Sequence, residues 1–397
     1  MKKIGLLLET EPHFGGTFQY NQTMLDAVAA LPRDRFEVVV GYTSDKWLDY
    51  LQDYGHLRAV RIPRGVLGRA LGLAWLLLRL PMGVWRTICP WFHPMAKALL
   101  RERCNLWIFP SQDIRSFQIP VPALVTILDL VHRYCPSFPE SASTWEIINR
   151  EPGYANMCRW AKGVLVVSEI DKQQVLESFL PPAERVHVLP MVAARYMYET
   201  TVPDDMDSRY PVPAKYLFYP AQFWWHKNHL NLVRAVASLK QELPDIKLVL
   251  AGSQKNAWDA VNALIRELGV ADDIIILGYV PDAYMPELYR RARALIYATY
   301  FGPCNLPPLE AMVVGCPMAT SDVTCMPDRV GDAALVFDPY AVDQIAECMR
   351  RLWTDDRLCD ELSRKGKERG SSWGQPQFNA RFLDIVSSII APETDRT

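Results

Sequence analysis

The chain has 397 residues, half of them apolar and 22% charged, with 43 basic against 45 acidic side chains and a net charge of −2. That balance fits a folded, soluble protein of two or three domains at roughly 150 residues each, and it excludes a disordered chain. A general nucleic-acid binder would carry a basic excess, so no nucleic-acid partner is expected.

The opening MKKIGLLLETEP meets Glu9 and Glu11 too soon for a secretory signal and predicts a first strand, Ile4–Glu9. Gly15-Gly16-Thr17 follows it. Two glycines before a helix let backbone approach a ligand and aim N–H groups at an anion, the alternative being a plain tight turn. A helix is expected over Thr17–Leu31, with Met24, Leu25, Val28 and Leu31 on one stripe, and then a strand at Phe36–Tyr42.

The tract from Gly65 to Trp85 approaches the length that spans a bilayer, about 20 residues, but Arg69, Arg79 and Pro81 interrupt it. No membrane-spanning helix is expected. The wider window holds Arg61, Arg64, Arg69, Arg79, Arg86, Lys97 and Arg101 without an acidic residue, interleaved with Trp75, Trp85, Trp91 and Phe92. Such a mixture suits a segment lying on an anionic membrane face. The alternative is a core helix and loop with solvated arginines.

Strands are predicted at Leu106–Pro110, Ala123–Asp129 and Gly163–Ser168. The pattern lapses after Pro190, and the stretch from Glu199 to Pro213, rich in Pro and Asp, has linker chemistry. Strands resume at Tyr216–Pro220, Ile246–Gly252, Ile274–Gly278, Ala294–Thr299 and Leu335–Phe337. Helical patterns separate them at His229–Leu243, Ala257–Leu268, Met285–Arg293 and Pro307–Val314, with another from Ala341 and a last one over Trp373–Ile390. Continuous apolar strands alternating with helices mean parallel sheets covered on both faces. The fold class is therefore α/β, two doubly wound Rossmann-like domains. They are placed at 1–195 and 214–372, with a linker at 196–213 and a C-terminal helix at 373–397 crossing back to the first domain. Nine cysteines, scattered singly without a C-x-x-C pair, predict reduced thiols and a cytoplasmic setting.

Ligands of such sheets bind at the carboxyl ends of the strands, so the loops there carry the chemistry. The loop after Tyr216–Pro220 reads AQFWWHKNH, and Lys227 within it can neutralise a phosphate. The loop after Ala294–Thr299 runs through Gly302 to Asn305, Leu306, Pro307 and Pro308 into a short helix. The amides of Asn305 and Leu306 are available to an anion or a sugar oxygen. Glu310, expected in the first turn of that helix, can accept two hydrogen bonds from a ribose diol, the alternative being a charge that stabilises the helix dipole.

LPPLEAMVVGCP, together with LVLAGS, LGYVPD, PDRVGDAALVFDP, VVSEIDKQ and SSWGQ, resembles the retaining glycosyltransferases of family 4, which have the GT-B fold. The chain resembles better a branch of that family with an F-G-P-x-N-x-P-P-L-E-A segment and an H-K-N loop. The resemblance implies two domains facing across a cleft. It implies a nucleotide-diphosphate sugar as donor substrate, with no cofactor and no metal. It gives Glu310 the donor ribose, Lys227 the diphosphate, and Gly15 and Gly16 a loop near diphosphate and acceptor. His132, in LDLVHRYCP, resembles a histidine that faces the donor sugar. Two positions depart: Gly302 stands where the family's first glutamate is usual, and Gln222 where an arginine is usual. Asn305 and nearby amides are expected to take over the sugar contacts. The implied function is transfer of a sugar to a glycan or lipid-linked glycan hydroxyl in cell-surface polysaccharide synthesis, in the cytoplasm or peripherally on the inner membrane face. The alternatives are a non-catalytic nucleotide-sugar-binding scaffold and a GT-B sugar-nucleotide epimerase.

Overall fold

The computed structural model describes residues 1–12, 15–63, 81–140, 144–302 and 305–391. They form two compact units. The first gathers the described residues of Met1–Leu130, Ile148–Met191 and Gln375–Thr397, and the second those of Val131–Ile147 and Val192–Gly374.

The first unit is built on seven parallel strands: β1 (Lys2–Leu8), β2 (Phe36–Tyr42), β3 (Arg58–Arg61), β4 (Leu106–Phe109), β5 (Ala123–Thr126), β6 (Gly163–Val166) and β7 (Val186–Val188), in the order β3-β2-β1-β4-β5-β6-β7. Gly5 on β1 lies opposite Trp107 on β4. A Cβ there would sit 2.3 Å from the indole, so glycine makes room for a fully buried tryptophan. The C-terminal helix Gln375–Ile390 belongs to this unit. It buries Phe378, Phe382 and Val386, and Gln375 donates 3.1 Å to the Thr23 carbonyl of helix Gly15–Ala29.

The second unit has six parallel strands: β8 (Leu217–Pro220), β9 (Leu248–Ala251), β10 (Ile274–Gly278), β11 (Ala294–Tyr297), β12 (Met318–Ser321) and β13 (Leu335–Phe337), in the order β10-β9-β8-β11-β12-β13. The direction of the order reverses between the paired strands β8 and β11. A sheet opens a ligand crevice at such a switch point. The two loops singled out in the sequence, after β8 and after β11, both leave the sheet there.

Some boundaries differ from expectation. The segment 196–213 is packed rather than a linker. It forms a 3₁₀ turn at Arg195–Tyr198 and a helical turn at Met206–Arg209, and it buries Met197, Met206 and Tyr210 in the second core. Its polar residues face outward to partners, Asp205 accepting from Tyr284 Oη at 2.8 Å and Asp207 pairing with Arg291. The described residues of Val131–Ile147, placed in the first domain from sequence order, group with the second unit, because Phe138 stacks on Tyr300 and Glu140 bonds His226.

Of the window 61–101, residues 64–80, including Arg64, Arg69, Trp75 and Arg79, lie outside the described residues. Trp85 is core, Arg86 donates to the Phe117 and Ile119 carbonyls, and Arg61 pairs with Asp45. Exposed here are Val84, Ile88 and Trp91, spaced along one face of helix Met82–Phe92, with Trp91 80% exposed, and Lys97 and Arg101 on the next helix, Pro94–Arg101. No helix among the described residues is long and apolar enough to cross a membrane. The eight described cysteines are free thiols, seven of them buried.

Candidate functional site

Lys227 ends a short 3₁₀ turn, Trp225–Lys227, after β8. Asn228 follows in the left-handed region at φ 59°, and its amide donates to the carbonyls of Ala298 at 2.9 Å and Pro339 at 2.8 Å. That conformation turns the chain sharply into helix His229–Leu239. The turn throws the Lys227 side chain across to β11. Its Nζ donates to Tyr297 Oη at 3.0 Å and Asn305 Oδ1 at 3.2 Å, and lies 5.4 Å from the Tyr297 ring centroid. Tyr297 also donates to Asn305 Oδ1, at 2.8 Å. These two partners present neutral oxygens that orient the ammonium.

Asn305 is buried and fully engaged. Its Nδ2 donates to the Gly302 carbonyl, and its own carbonyl accepts from Arg329 at 3.1 Å. Gly302 has φ +142°, and a Cβ added there would come within 2.5 Å of Asn305 Oδ1. The loop that brings Asn305 to Lys227 thus leaves no space for a side chain at 302. Leu306 opens helix Leu306–Val314, with both prolines in its first turn, where their missing N–H groups cost little.

Glu310 is not in the first turn of that helix, as expected, but one turn further on and buried. Its Oε1 accepts from Tyr196 Oη at 2.8 Å and its Oε2 from Tyr289 Oη at 2.6 Å. Burial raises its pKa. The two tyrosine hydrogen bonds work the other way, and the charge of Asp282 adds to the rise. A carboxyl whose pKa is raised on folding loses stability as pH climbs from the ordinary carboxylate range to the raised value, because the folded state then holds more protons than the unfolded one. Glu310→Gln should therefore gain in melting temperature relative to the parent as the pH rises above the ordinary carboxylate range. Paired thermal melts check this, and a difference that stays flat or falls with pH contradicts it.

Gln222 follows β8, where its Oε1 accepts from Trp224 Nε1 at 2.9 Å. Gly15 and Gly16 open helix Gly15–Ala29 in the first unit, Gly15 at φ 56°. His132 is buried on a short helix, Val131–Tyr134, and groups with the second unit. The strand before it ends at Thr126, so Asp129 lies in the loop, 3.5 Å from Arg150. The structure thus joins Lys227 directly to Asn305 and sets Leu306 and Glu310 on one helix, whereas Gly15 and Gly16 belong to the other unit.

Sequence reasoning missed Tyr297, Arg329, Tyr196, Tyr289 and Glu140. Glu140 accepts from His226 N at 2.8 Å, from His226 Nδ1, and from Asn256 Nδ2 at 2.9 Å. Burial pushes its pKa up, but these hydrogen bonds outweigh it and hold the carboxyl down at about 2. His229 is stacked on Phe223 with ring centroids 4.3 Å apart, and burial pushes its pKa down to about 3, so it stays neutral. Among the described residues, no group of three or more His, Cys, Asp or Glu side chains is placed to hold a metal ion.

Known proteins share both the site-bearing unit and the fold. Residues 206–369 match the family described as glycosyl transferases group 1. That stretch contains Gln222, Lys227, Asn305, Leu306 and Glu310. The O-antigen chain mannosyltransferase B of Escherichia coli is 34% identical over 214 residues, 52% of this chain and 55% of the relative. The serotype-specific mannosyltransferase WbdA of Escherichia coli is 24% identical over 209 residues, 51% of this chain and 26% of the relative. The chain thus spans about half or less of the length of these curated relatives. Among solved structures, Anabaena HepE in complex with UDP and glucose superposes with a TM-score of 0.73 at 16% identity, covering 98% of this chain and 100% of HepE. With the two doubly wound parallel sheets, that likeness gives the GT-B fold class.

Proposed function

We propose that this chain is a retaining glycosyltransferase of family 4. It moves a sugar from a nucleotide-diphosphate donor to a hydroxyl of a glycan or lipid-linked glycan in cell-surface polysaccharide synthesis. The relatives' names support a mannosyl group as the sugar moved. The observation that carries the reading is the Lys227 ammonium, held by Tyr297 and Asn305 at the switch point of the second sheet. Transfer breaks the bond from the sugar's anomeric carbon to the diphosphate oxygen, the acceptor hydroxyl's oxygen takes its place on the same face, and the hydroxyl proton passes to the departing diphosphate. Charge grows on the departing diphosphate, so a fixed cation there stabilises the transition state more than the ground state. Glu310, oriented by two tyrosines, accepts from the donor ribose. Asn305, Leu306 and Gln222 line the donor, His132 contacts its sugar, and Gly15 and Gly16 keep backbone open to diphosphate or acceptor. No metal or organic cofactor takes part.

A panel of nucleotide sugars, mannosyl and glucosyl donors included, tests this by thermal shift in excess chelator. A donor at 100 times its Kd stabilises by about 2.7 kcal/mol. One donor should raise the melting temperature and release its nucleoside diphosphate only when a glycan acceptor is added. Stabilisation by none contradicts the reading, and binding without acceptor-dependent release makes the protein a scaffold.

A cytoplasmic, peripheral position on an anionic membrane face is part of the same proposal. The exposed stripe of Val84, Ile88 and Trp91 near Lys97 and Arg101 supports it. Each engaged basic residue contributes about 1 kcal/mol, screened over a Debye length of about 8 Å. The protein should sediment with anionic vesicles at low salt and be released at high salt. Indifference to such vesicles at low salt would make the acceptor a soluble one.

A further inference from the structure

The Trp225–Lys227 turn is too short to fix itself. Two bonds close it, Lys227 N to the Trp224 carbonyl at 3.0 Å and Asn228 N to the Trp225 carbonyl at 3.1 Å, but its leading N–H groups, those of Trp225 and His226, need acceptors from elsewhere. Both are supplied from one place. Trp225 N donates to Asn256 Oδ1 at 2.9 Å, and His226 N donates to Glu140 Oε1 at 2.8 Å. Asn256 is itself oriented by Glu140, its Nδ2 donating to Oε2 at 2.9 Å, while His226 Nδ1 meets Oε1. One carboxylate therefore fixes two consecutive amides of the turn, one directly and one through Asn256.

The opposite side of the turn is gripped as well. The His226 carbonyl accepts from Tyr300 N at 2.8 Å, and Tyr219 Oη donates to the Lys227 carbonyl. Phe138, two residues before Glu140, stacks on Tyr300 with centroids 5.8 Å apart and meets the His226 ring at 6.2 Å. Glu140 is thus anchored by its own neighbour to the loop it helps to hold. Its side chain is 14% exposed and that of His226 19%, so water screens the pair far less than it screens a surface bridge.

We infer that Glu140 is a positioning residue for Lys227: it clamps the Trp225–Lys227 turn so that the ammonium meets Tyr297, Asn305 and the diphosphate of a bound donor. The inference rests on the reading of Lys227 given above. It has a consequence for the anion. The Trp225 and His226 amides already have acceptors, so neutralisation at this turn falls to the ammonium and not to backbone N–H groups. The residue type matters too. A carboxylate offers two acceptor oxygens to three donors, whereas Gln offers one oxygen and turns an amide N–H₂ toward Asn256.

The test is a double-mutant cycle on the whole chain, with kcat and KM measured for the active nucleotide sugar found in the panel. Glu140→Ala should lower kcat by about tenfold or more, as expected for a misplaced catalytic group, with the acceptor KM unchanged. Glu140→Gln should fall between it and the parent. In a Lys227→Ala background, Glu140→Ala should cost less than about twofold further, because its effect passes through the missing ammonium. Full additivity, or a parental kcat in Glu140→Ala, overturns the inference. Should Glu140→Ala fail to fold, Glu140→Gln and Asn256→Ala in the same two backgrounds decide it by the same criterion. A Lys227→Ala variant with unchanged turnover instead overturns the reading of Lys227, so the two failures are distinct.

Discussion

Replacing Lys227 with alanine is expected to lower kcat by about a hundred- to a thousandfold, the loss seen when one preorganised charge-stabilising donor is removed from an active site. The expectation comes from geometry. Two neutral oxygens hold the ammonium at the switch point, so little reorganisation is needed when charge develops on the leaving group. Acceptor KM should change little, because the charge that Lys227 meets is on the donor side. Arginine should not restore the activity in full, since its planar fork does not reproduce a point charge seated between Tyr297 and Asn305. Initial rates at saturating donor, in a variant whose melting curve matches the parent, check the prediction, and normal turnover would remove Lys227 from the mechanism.

The second large effect is expected at Gly302. Introducing there the glutamate of the glycosyltransferases this sequence resembles should harm this protein rather than improve it. A side chain at φ +142° is strained, and its Cβ would lie 2.5 Å from Asn305 Oδ1. Asn305 cannot move away without leaving Lys227, Tyr297 and the Gly302 carbonyl. Gly302→Glu should therefore destabilise the fold by about 1–3 kcal/mol, the usual range for overpacking, and reduce kcat further by displacing Asn305. Denaturant titration and steady-state rates read the two losses separately. A variant as stable as the parent and more active would show that the loop has room and that the departure at 302 is incidental.

Gly302 illustrates what could be read from the sequence. The difference from the segment it resembles is visible there, but its cause is not, because the contact with Asn305 depends on how the loop folds back. Strands with β-branched, apolar runs declare themselves: Phe36–Tyr42, Ile274–Gly278 and Leu335–Phe337 have the expected bounds. The strands missed lack that signal. Met318–Ser321 is half polar, Arg58–Arg61 is an exposed edge and Val186–Val188 is broken by a central histidine. Helix Asp356–Ser372 was also missed, since only Cys359, Leu362 and Gly366 mark its buried stripe. At the site, Lys227 and Asn305 stand in loops whose place after apolar strands is legible. Tyr196, Tyr289 and Glu140 reach the site from segments distant in sequence, and no local pattern links them to it. Glu310 falls one turn later than the sequence suggests because helix Leu306–Val314 starts at Leu306, ahead of its prolines.

The central claim is that the Lys227 cluster serves transfer from a nucleotide-diphosphate sugar. Mass spectrometry of a glycan acceptor incubated with the protein and each nucleotide sugar of the panel tests it most directly. The account predicts that one donor adds a single hexose to the acceptor with release of its nucleoside diphosphate, and that Lys227→Ala abolishes most of the addition. An unmodified acceptor with every donor, or equal addition by the parent and the Lys227→Ala variant, would contradict it.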